Sequence, residues 1–352
     1  MRKFLAIVLM LALALPLVSL AGETYELALV TDIGTINDKS FNQGTWEGLV
    51  AFAEANNKTY NYYQPTGQST DIYLDFIEQA VNAGAKVIVT PGFLFEEPIF
   101  IAQDMYPDVH FVLIDGNPHS ADYSEYRTEK NAVGIVFAEE QAGFLAGYAA
   151  VKDGYTKLGF MGGMAVPAVI RFGYGYVQGA ELAALEMGIE GLVLNYHYTG
   201  GFAATPEAQA LAAAWYADGI EVIFACGGPV GNSVMAAAEA AGGKVIGVDV
   251  DQSAESPTVI TSAVKGLAPA VEQTLAAYYA GEFPGGEAQV KDAALDGVGL
   301  PMASSKFTTF TQEDYDKIYA QLVAGEIVLL KDTDVASVVE IPVARVTVTE
   351  IK

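Results

Sequence analysis

Cysteine is almost missing from this chain. Of 352 residues only Cys226 carries a thiol, so neither a disulfide framework nor a thiolate metal cluster can form. Histidine is nearly as scarce: His110, His119 and His197 stand far apart without ligand spacing, and no metal site is expected. Basic residues number 18 against 43 acidic ones, a formal charge of −25. A surface that acidic repels DNA, RNA and anionic lipid, so no nucleic-acid partner is expected. Signatures of nucleotide chemistry and hydrolysis are absent too. Gly227-Gly228-Pro229-Val230-Gly231-Asn232 lacks the Lys-Ser/Thr of a phosphate-cradling loop, no G-x-G-x-x-G follows a strand, and there is no G-x-S-x-G elbow. No cofactor is called for.

What is present is globular. Hydrophobic residues make up 52% of the chain, which is long enough for two domains with sizeable cores. Met1-Arg2-Lys3, the apolar stretch from Phe4 to Leu15 and the small-residue pattern Ser19-Leu20-Ala21 read as a secretory signal peptide over residues 1–22. The expectation is export to the periplasm or cell surface.

From there, short apolar runs alternate with segments of helical period, which implies βαβ units and a parallel sheet. Strands are expected at Leu27–Val30, Thr59–Tyr63, Lys86–Thr90, His110–Asp115 and Asn131–Phe137. The helix Glu139–Val151 follows, and then a second cycle opens at Lys157–Met161 and runs to Lys244–Val248. The cycles echo each other: Gly84-Ala85-Lys86-Val87-Ile88 parallels Gly219-Ile220-Glu221-Val222-Ile223, and Phe41…Gly48 parallels Phe172…Gly179, at offsets between 131 and 135 residues. This reads as two similar doubly wound lobes, of class α/β. Strands at Thr258–Ser262 and Lys291–Val298, with helices Leu267–Ala280 and Thr311–Val323, fit elements crossing back between them.

The stretch from Thr31 to Asn42 sits between the first strand and a helix starting near Phe41, with Ser40 and Gln43 spaced as a capping box. It offers a carboxylate (Asp32), amides (Asn37, Asn42) and an aromatic ring (Phe41) at the carboxyl end of a strand, where open α/β sheets bind ligands. V-T-D-x-G-x-x-N-D-K-S-F-N-Q-x-x-W-E-G in this region resembles the opening of the basic membrane protein family, substrate-binding proteins of ABC importers. Gly247-Val248-Asp249-Val250-Asp251-Gln252, Thr261-Ser262-Ala263-Val264-Lys265 and the helix beginning Phe137-Ala138-Glu139-Glu140-Gln141-Ala142-Gly143 are similar to further motifs of that family. The resemblance implies a type I periplasmic binding fold whose lobes, joined by hinge strands, close on a ligand. The expected division is 23–136 plus 256–288 for the first lobe and 137–255 plus 289–352 for the second. It also implies permease subunits as partners and a nucleoside, a purine in the best-known members, as ligand; a monomer is expected. Glu23 stands where the family's acylated cysteine would, so a lipid anchor is not expected.

Asp32, Asp115 and Asp249 each end a strand or begin the loop after it, and they converge on one cleft if the lobes face each other by their strand ends. Ionised carboxylates accept hydrogen bonds and donate none, which suits hydroxyls and N–H groups and repels phosphate. The alternative for each is a turn former or helix cap. Phe41 and Phe202 lie in loops rich in Gly, Asn, Ser and Thr, and the resemblance makes them two faces of a sandwich around a base; the alternative is core packing. The resemblance assigns Asp249 and Lys265 to ribose hydroxyls, against a solvated lysine at a helix start. Gly228 is expected to offer backbone N–H to the ligand. The helix from Glu139 reads as packing, its small residues allowing close helix contact. A secreted nucleoside hydrolase, or a sugar or signal sensor on the same fold, is the alternative function.

Overall fold

The computed structural model describes residues 24–351; the signal peptide expected at 1–22 lies outside them. The first strand, β1 (Leu27–Val30), is apolar and wholly buried, as a strand covered on both faces must be. It is followed by α1 (Phe41–Ala55), β2 (Tyr60–Tyr63), α2 (Thr70–Asn82), β3 (Val87–Pro91), α3 (Glu96–Met105), β4 (His110–Ile114) and β5 (Ala132–Phe137). The second cycle comprises α4 (Glu139–Lys152), β6 (Lys157–Gly162), α5 (Pro167–Met187), β7 (Leu192–Tyr198), α6 (Pro206–Ala217), β8 (Val222–Cys226), α7 (Val230–Ala241) and β9 (Lys244–Asp249). Then come β10 (Val259–Lys265), α8 (Leu267–Ala280), β11 (Glu287–Lys291), β12 (Val298–Gly299), α9 (Gln312–Val323) and β13 (Val346–Glu350). Among the described residues no helix is long and apolar enough to cross a membrane.

Two sheets result, six strands in the order β11-β5-β4-β3-β1-β2 and seven in the order β12-β10-β9-β8-β6-β7-β13. Leaving out the last-joined edge strands, both follow one winding. The first strand of each lobe lies between its second and third, which opens a switch point at the carboxyl ends. All pairings are parallel except β10 with β12.

Three passages join the lobes: Phe137–Glu139, Lys265–Leu267 and Lys291–Val298. They bond to one another, Ala138 N donating to Lys291 O at 3.0 Å and Gly266 N to Gly297 O at 2.8 Å. The division expected from the sequence differs here. β10 pairs with β9 in the second sheet although the sequence division puts 256–288 in the first lobe, and β11 pairs with β5 in the first although that division cuts through it after residue 288. The strand expected over Lys291–Val298 is broken, because Asp292 caps a short 3₁₀ turn at Ala293–Leu295 through its side chain. The sequence reading has no strand beyond α9, yet β13 adds to β7. Its Val-Thr-Val-Thr-Glu pattern is that of an edge strand, largely open to solvent on one face.

The helix pair α4 and α5 packs backbone to backbone. A Cβ on Gly143 would lie 2.0 Å from Phe172 O, and one on Gly175 2.0 Å from Glu140 O; Gly147 and Gly179 repeat the contact one turn on, at 2.1 and 2.0 Å. Two four-residue glycine spacings thus face each other, and the packing expected of this helix from its small residues is what forms.

Candidate ligand-binding site

A cavity of about 550 Å³ lies between the lobes. Eight residues singled out for ligand contact line it: Asp32, Phe41, Asn42, Asp115, Phe202, Gly228, Asp249 and Lys265; Asn37, the other amide of the first loop, does not. They come from the loops after β1, β4, β7 and β8, from the first turn of α1 and from the ends of β9 and β10, so the switch points of the two sheets meet.

The first wall is built by Asp38. Its Oδ1 accepts from Ser40 N (2.9 Å) and Gln43 N (3.0 Å), and its Oδ2 from Asn42 N (2.9 Å) and Asn42 Nδ2 (3.1 Å). This carboxylate satisfies the orphan donors at the start of α1. The expected capping box of Ser40 and Gln43 therefore does not form. Gln43 Oε1 accepts from Lys39 N instead, and Ser40 Oγ crosses to the other lobe, donating to Asp249 Oδ2 at 2.6 Å. Asp32 Oδ1 accepts from Gly34 N (2.7 Å) and Asn42 Nδ2 (3.0 Å), which fixes both cleft-facing side chains.

Asp115 and Asp249 occupy equivalent places at the ends of β4 and β9, and both take the left-handed backbone conformation, with φ of 60° and 68°. Asp and Asn tolerate that region better than other side chains. The likeness of the two lobes thus extends to an unusual backbone state. Between them lies Lys265, a passage residue that is 6% exposed and no solvated lysine. Its Nζ donates to Asp115 Oδ2 and lies 3.3 Å from Glu139 Oε1 and 3.8 Å from Asp249 Oδ1. The same ammonium sits 5.1 Å from the Phe41 ring centre and 5.3 Å from that of Phe172, within cation–π reach.

Glu139, Arg171, Asn117 and Asp332 also line the cavity and were missed from the sequence. Glu139 stands two residues past the end of β5, near the strand-end position that picked out the aspartates. Arg171 is held by Asp332, Nε to Oδ1 at 2.7 Å, and lies 3.6 Å from Glu139 Oε2 through Nη1. No local spacing announces a contact across 161 residues.

Burial acts on these charges unevenly. It pushes Asp32 up to about 6 against the pull of the Gly34 amide and Asn42, and pushes Asp249 up to about 6 against Lys265 and Ser40. Burial raises Glu139 too, partly offset by Lys265. Burial opposes the charge on Lys265, but Asp115, Glu139 and Asp249 together outweigh it and hold the ammonium protonated. The sign for stability follows. A carboxyl whose folded pKa exceeds its unfolded value of about 3.9 destabilises the folded state fully above pH 6, and that cost fades as pH falls toward 4. The ligand-free protein should therefore melt several degrees higher at pH 5 than at pH 7.5 in scanning calorimetry. Asp249→Asn should shrink that difference; an unchanged or reversed difference would refute the assignment.

Residues 25–332 match the family described as ABC transporter substrate-binding protein, PnrA-like. The chain belongs to that family. Its relatives include the ABC transporter nucleoside-binding protein BmpA of Lactococcus lactis subsp. cremoris, 30% identical over 323 residues that cover 85% of this chain and 87% of the relative. Basic membrane protein A1 of Borrelia garinii subsp. bavariensis is 29% identical over 319 residues, covering 88% and 90%. Among solved structures, an ABC transporter solute-binding protein from Aeropyrum pernix K1 superposes with a TM-score of 0.74 at 22% identity, covering 87% of this chain and 93% of that one. A lac repressor dimer bound to operator gives 0.54 at 13% identity, covering 83% and 96%, a likeness of fold alone. The architecture is the type I periplasmic binding fold. As a PnrA-like member the chain is a substrate-binding protein, from a family of binders and not enzymes that work outside the cytoplasm and deliver a small molecule to permease subunits.

Proposed function

We propose that the ligand is a nucleoside, purine nucleosides foremost, captured between the lobes and handed to the permease of an ABC importer. The observation that carries this reading is a set of buried acceptors in the cleft. Asn42 Oδ1, Asp115 Oδ1 and Asn117 Oδ1 are out of solvent and have no hydrogen-bond partner among the described residues. Buried acceptors call for donors, so the ligand brings N–H and O–H groups.

Phe41 and Phe202, half-buried and lining the same cavity, are the two faces on which the base stacks, a contact worth roughly 1–3 kcal/mol per base by alanine substitution. Asp249 and Lys265 take the ribose hydroxyls, an acceptor and a donor side by side, with charge-assisted bonds fixing the diol. Asp32 and Asn42 face the base edge, and Gly228, with φ of 54°, brings backbone close to the ligand. The Lactococcus relative carries nucleoside binding in its name. Each lobe supplies one wall of the cleft, so a single chain holds a complete site.

Phosphate is excluded by charge. Asp32, Asp38, Glu96, Asp115, Glu139, Asp249 and Asp332 line the cavity, and Lys265 and Arg171 are already engaged by carboxylates. Titration calorimetry with adenosine, inosine and AMP tests the reading. The nucleosides should bind, and AMP at least about 100-fold more weakly, a difference of about 2.7 kcal/mol. AMP binding as tightly as adenosine would overturn it.

A further inference from the structure

Glu139 stands on the passage between the lobes and is 1% exposed. Its neighbour Ala138 is bonded to a second passage at Lys291, and its Oε1 lies 3.3 Å from Lys265 Nζ, which belongs to the third. Its Oε2 lies 3.6 Å from Arg171 Nη1 and accepts no hydrogen bond among the described residues. Arg171 is in turn clamped by Asp332. One carboxylate thus touches both cations of the cleft and is anchored where the lobes turn against each other.

Three carboxylates surround Lys265, and they differ in position. Asp115 ends a strand of the first lobe, Asp249 a strand of the second, and the ligand competes for the oxygens of both. Glu139 already carries two cations and sits on the passage itself. When a sugar draws Asp115 and Asp249 into its own hydrogen bonds, Glu139 remains to keep the ammonium in place. A lysine carries four methylenes and much rotamer freedom, so its head needs such a fixed partner to point one way.

We propose that Glu139 is a positioning residue: it aims Lys265 Nζ at the vicinal diol of the sugar and so sets the preference for ribosides over sugars lacking those hydroxyls. This rests on the nucleoside reading and adds to it a residue that the ligand need not touch.

A merely structural role would lower the melting point of Glu139→Gln, whereas the positioning role does not require it. Three carboxylates against one ammonium is an excess of negative charge, so Glu139→Gln keeps the shape and relieves repulsion without stranding a cation. Lys265 retains Asp115 and Asp249, and Arg171 retains Asp332. The ligand-free variant should melt no lower than the wild type.

The test is calorimetric titration of the full chain with inosine and with 2′,3′-dideoxyinosine. The wild type should prefer inosine. In Glu139→Gln, inosine affinity should fall about tenfold or more, the scale of one charge-assisted hydrogen bond, while dideoxyinosine should change by less than about threefold, so the ratio collapses. Should Gln impair folding, Glu139→Asp moves the charge back by one methylene and reads the same ratio. An unchanged ratio in a folded variant, with both ligands weakened alike or neither, overturns the positioning role alone. A wild type that binds neither ligand overturns the nucleoside reading and this inference with it.

Discussion

Lys265→Met should destabilise the protein by about 3–5 kcal/mol near pH 7.5, because removing one partner of a buried ionic cluster leaves the others uncompensated. Methionine fills nearly the same volume, so the loss is electrostatic, the cation–π contacts with Phe41 and Phe172 included, and not a cavity. Asp115, Glu139 and Asp249 would then face one another without the ammonium now within 4 Å of each. For a lobe of this size the melting point should drop by roughly 6 °C or more. Like carboxylates in a dry site escape by protonation, so the variant should recover much of its stability at pH 5. A second consequence is loss of ligand binding at both pH values, since the diol loses its donor. Melting curves of wild type and variant at pH 7.5 and 5 decide the matter. An equal deficit at both pH values would show that the ion cluster is not the cause.

The second large effect concerns the seam of α4 and α5. In an open helix, Gly→Ala gains up to about 1 kcal/mol of propensity. At Gly175 the same change should cost about 1–3 kcal/mol or more, because the new methyl would stand 2.0 Å from Glu140 O, a backbone atom that cannot rotate away. The two helices must separate, and the seam is continuous with the site: Glu139 opens α4, and Arg171 and Phe172 lie on the first turns of α5. Gly175→Ala should therefore lower both the melting point and ligand affinity. Gly231→Ala in α7 is the control, since its Cβ would meet only Met235 Cε at 3.7 Å; it should be neutral or stabilising. If the two substitutions behaved alike in thermal melts, the close-packed seam would play no part in stability.

Much of this molecule was legible because its signals are local. Apolar runs bounded by turn residues point to the parallel strands, and the echoes of residues 84–88 with 219–223 and of Phe41…Gly48 with Phe172…Gly179 point to two lobes with corresponding strand ends. Once strand ends are known, topology places the ligand at the switch points. That is why eight residues chosen from the sequence line one cavity. Family motifs sharpened the choice, since Phe41, Phe202 and Lys265 each admitted a structural reading on composition alone.

What only the tertiary structure decided has one physical source, contact between segments distant in sequence. Ser40 is spaced for a capping box, yet its hydroxyl bonds Asp249, and Asp38 caps α1. Lys265 looks like a solvated lysine until three carboxylates from three parts of the chain enclose it. Arg171 and Asp332 are 161 residues apart. The place where β10 and β11 leave one lobe for the other is set by sheet pairing and not by their own hydrophobic pattern. A sequence records which groups a strand end presents. Which of them burial makes costly, and which partners offset that cost, depends on distances that only the closed-up fold creates.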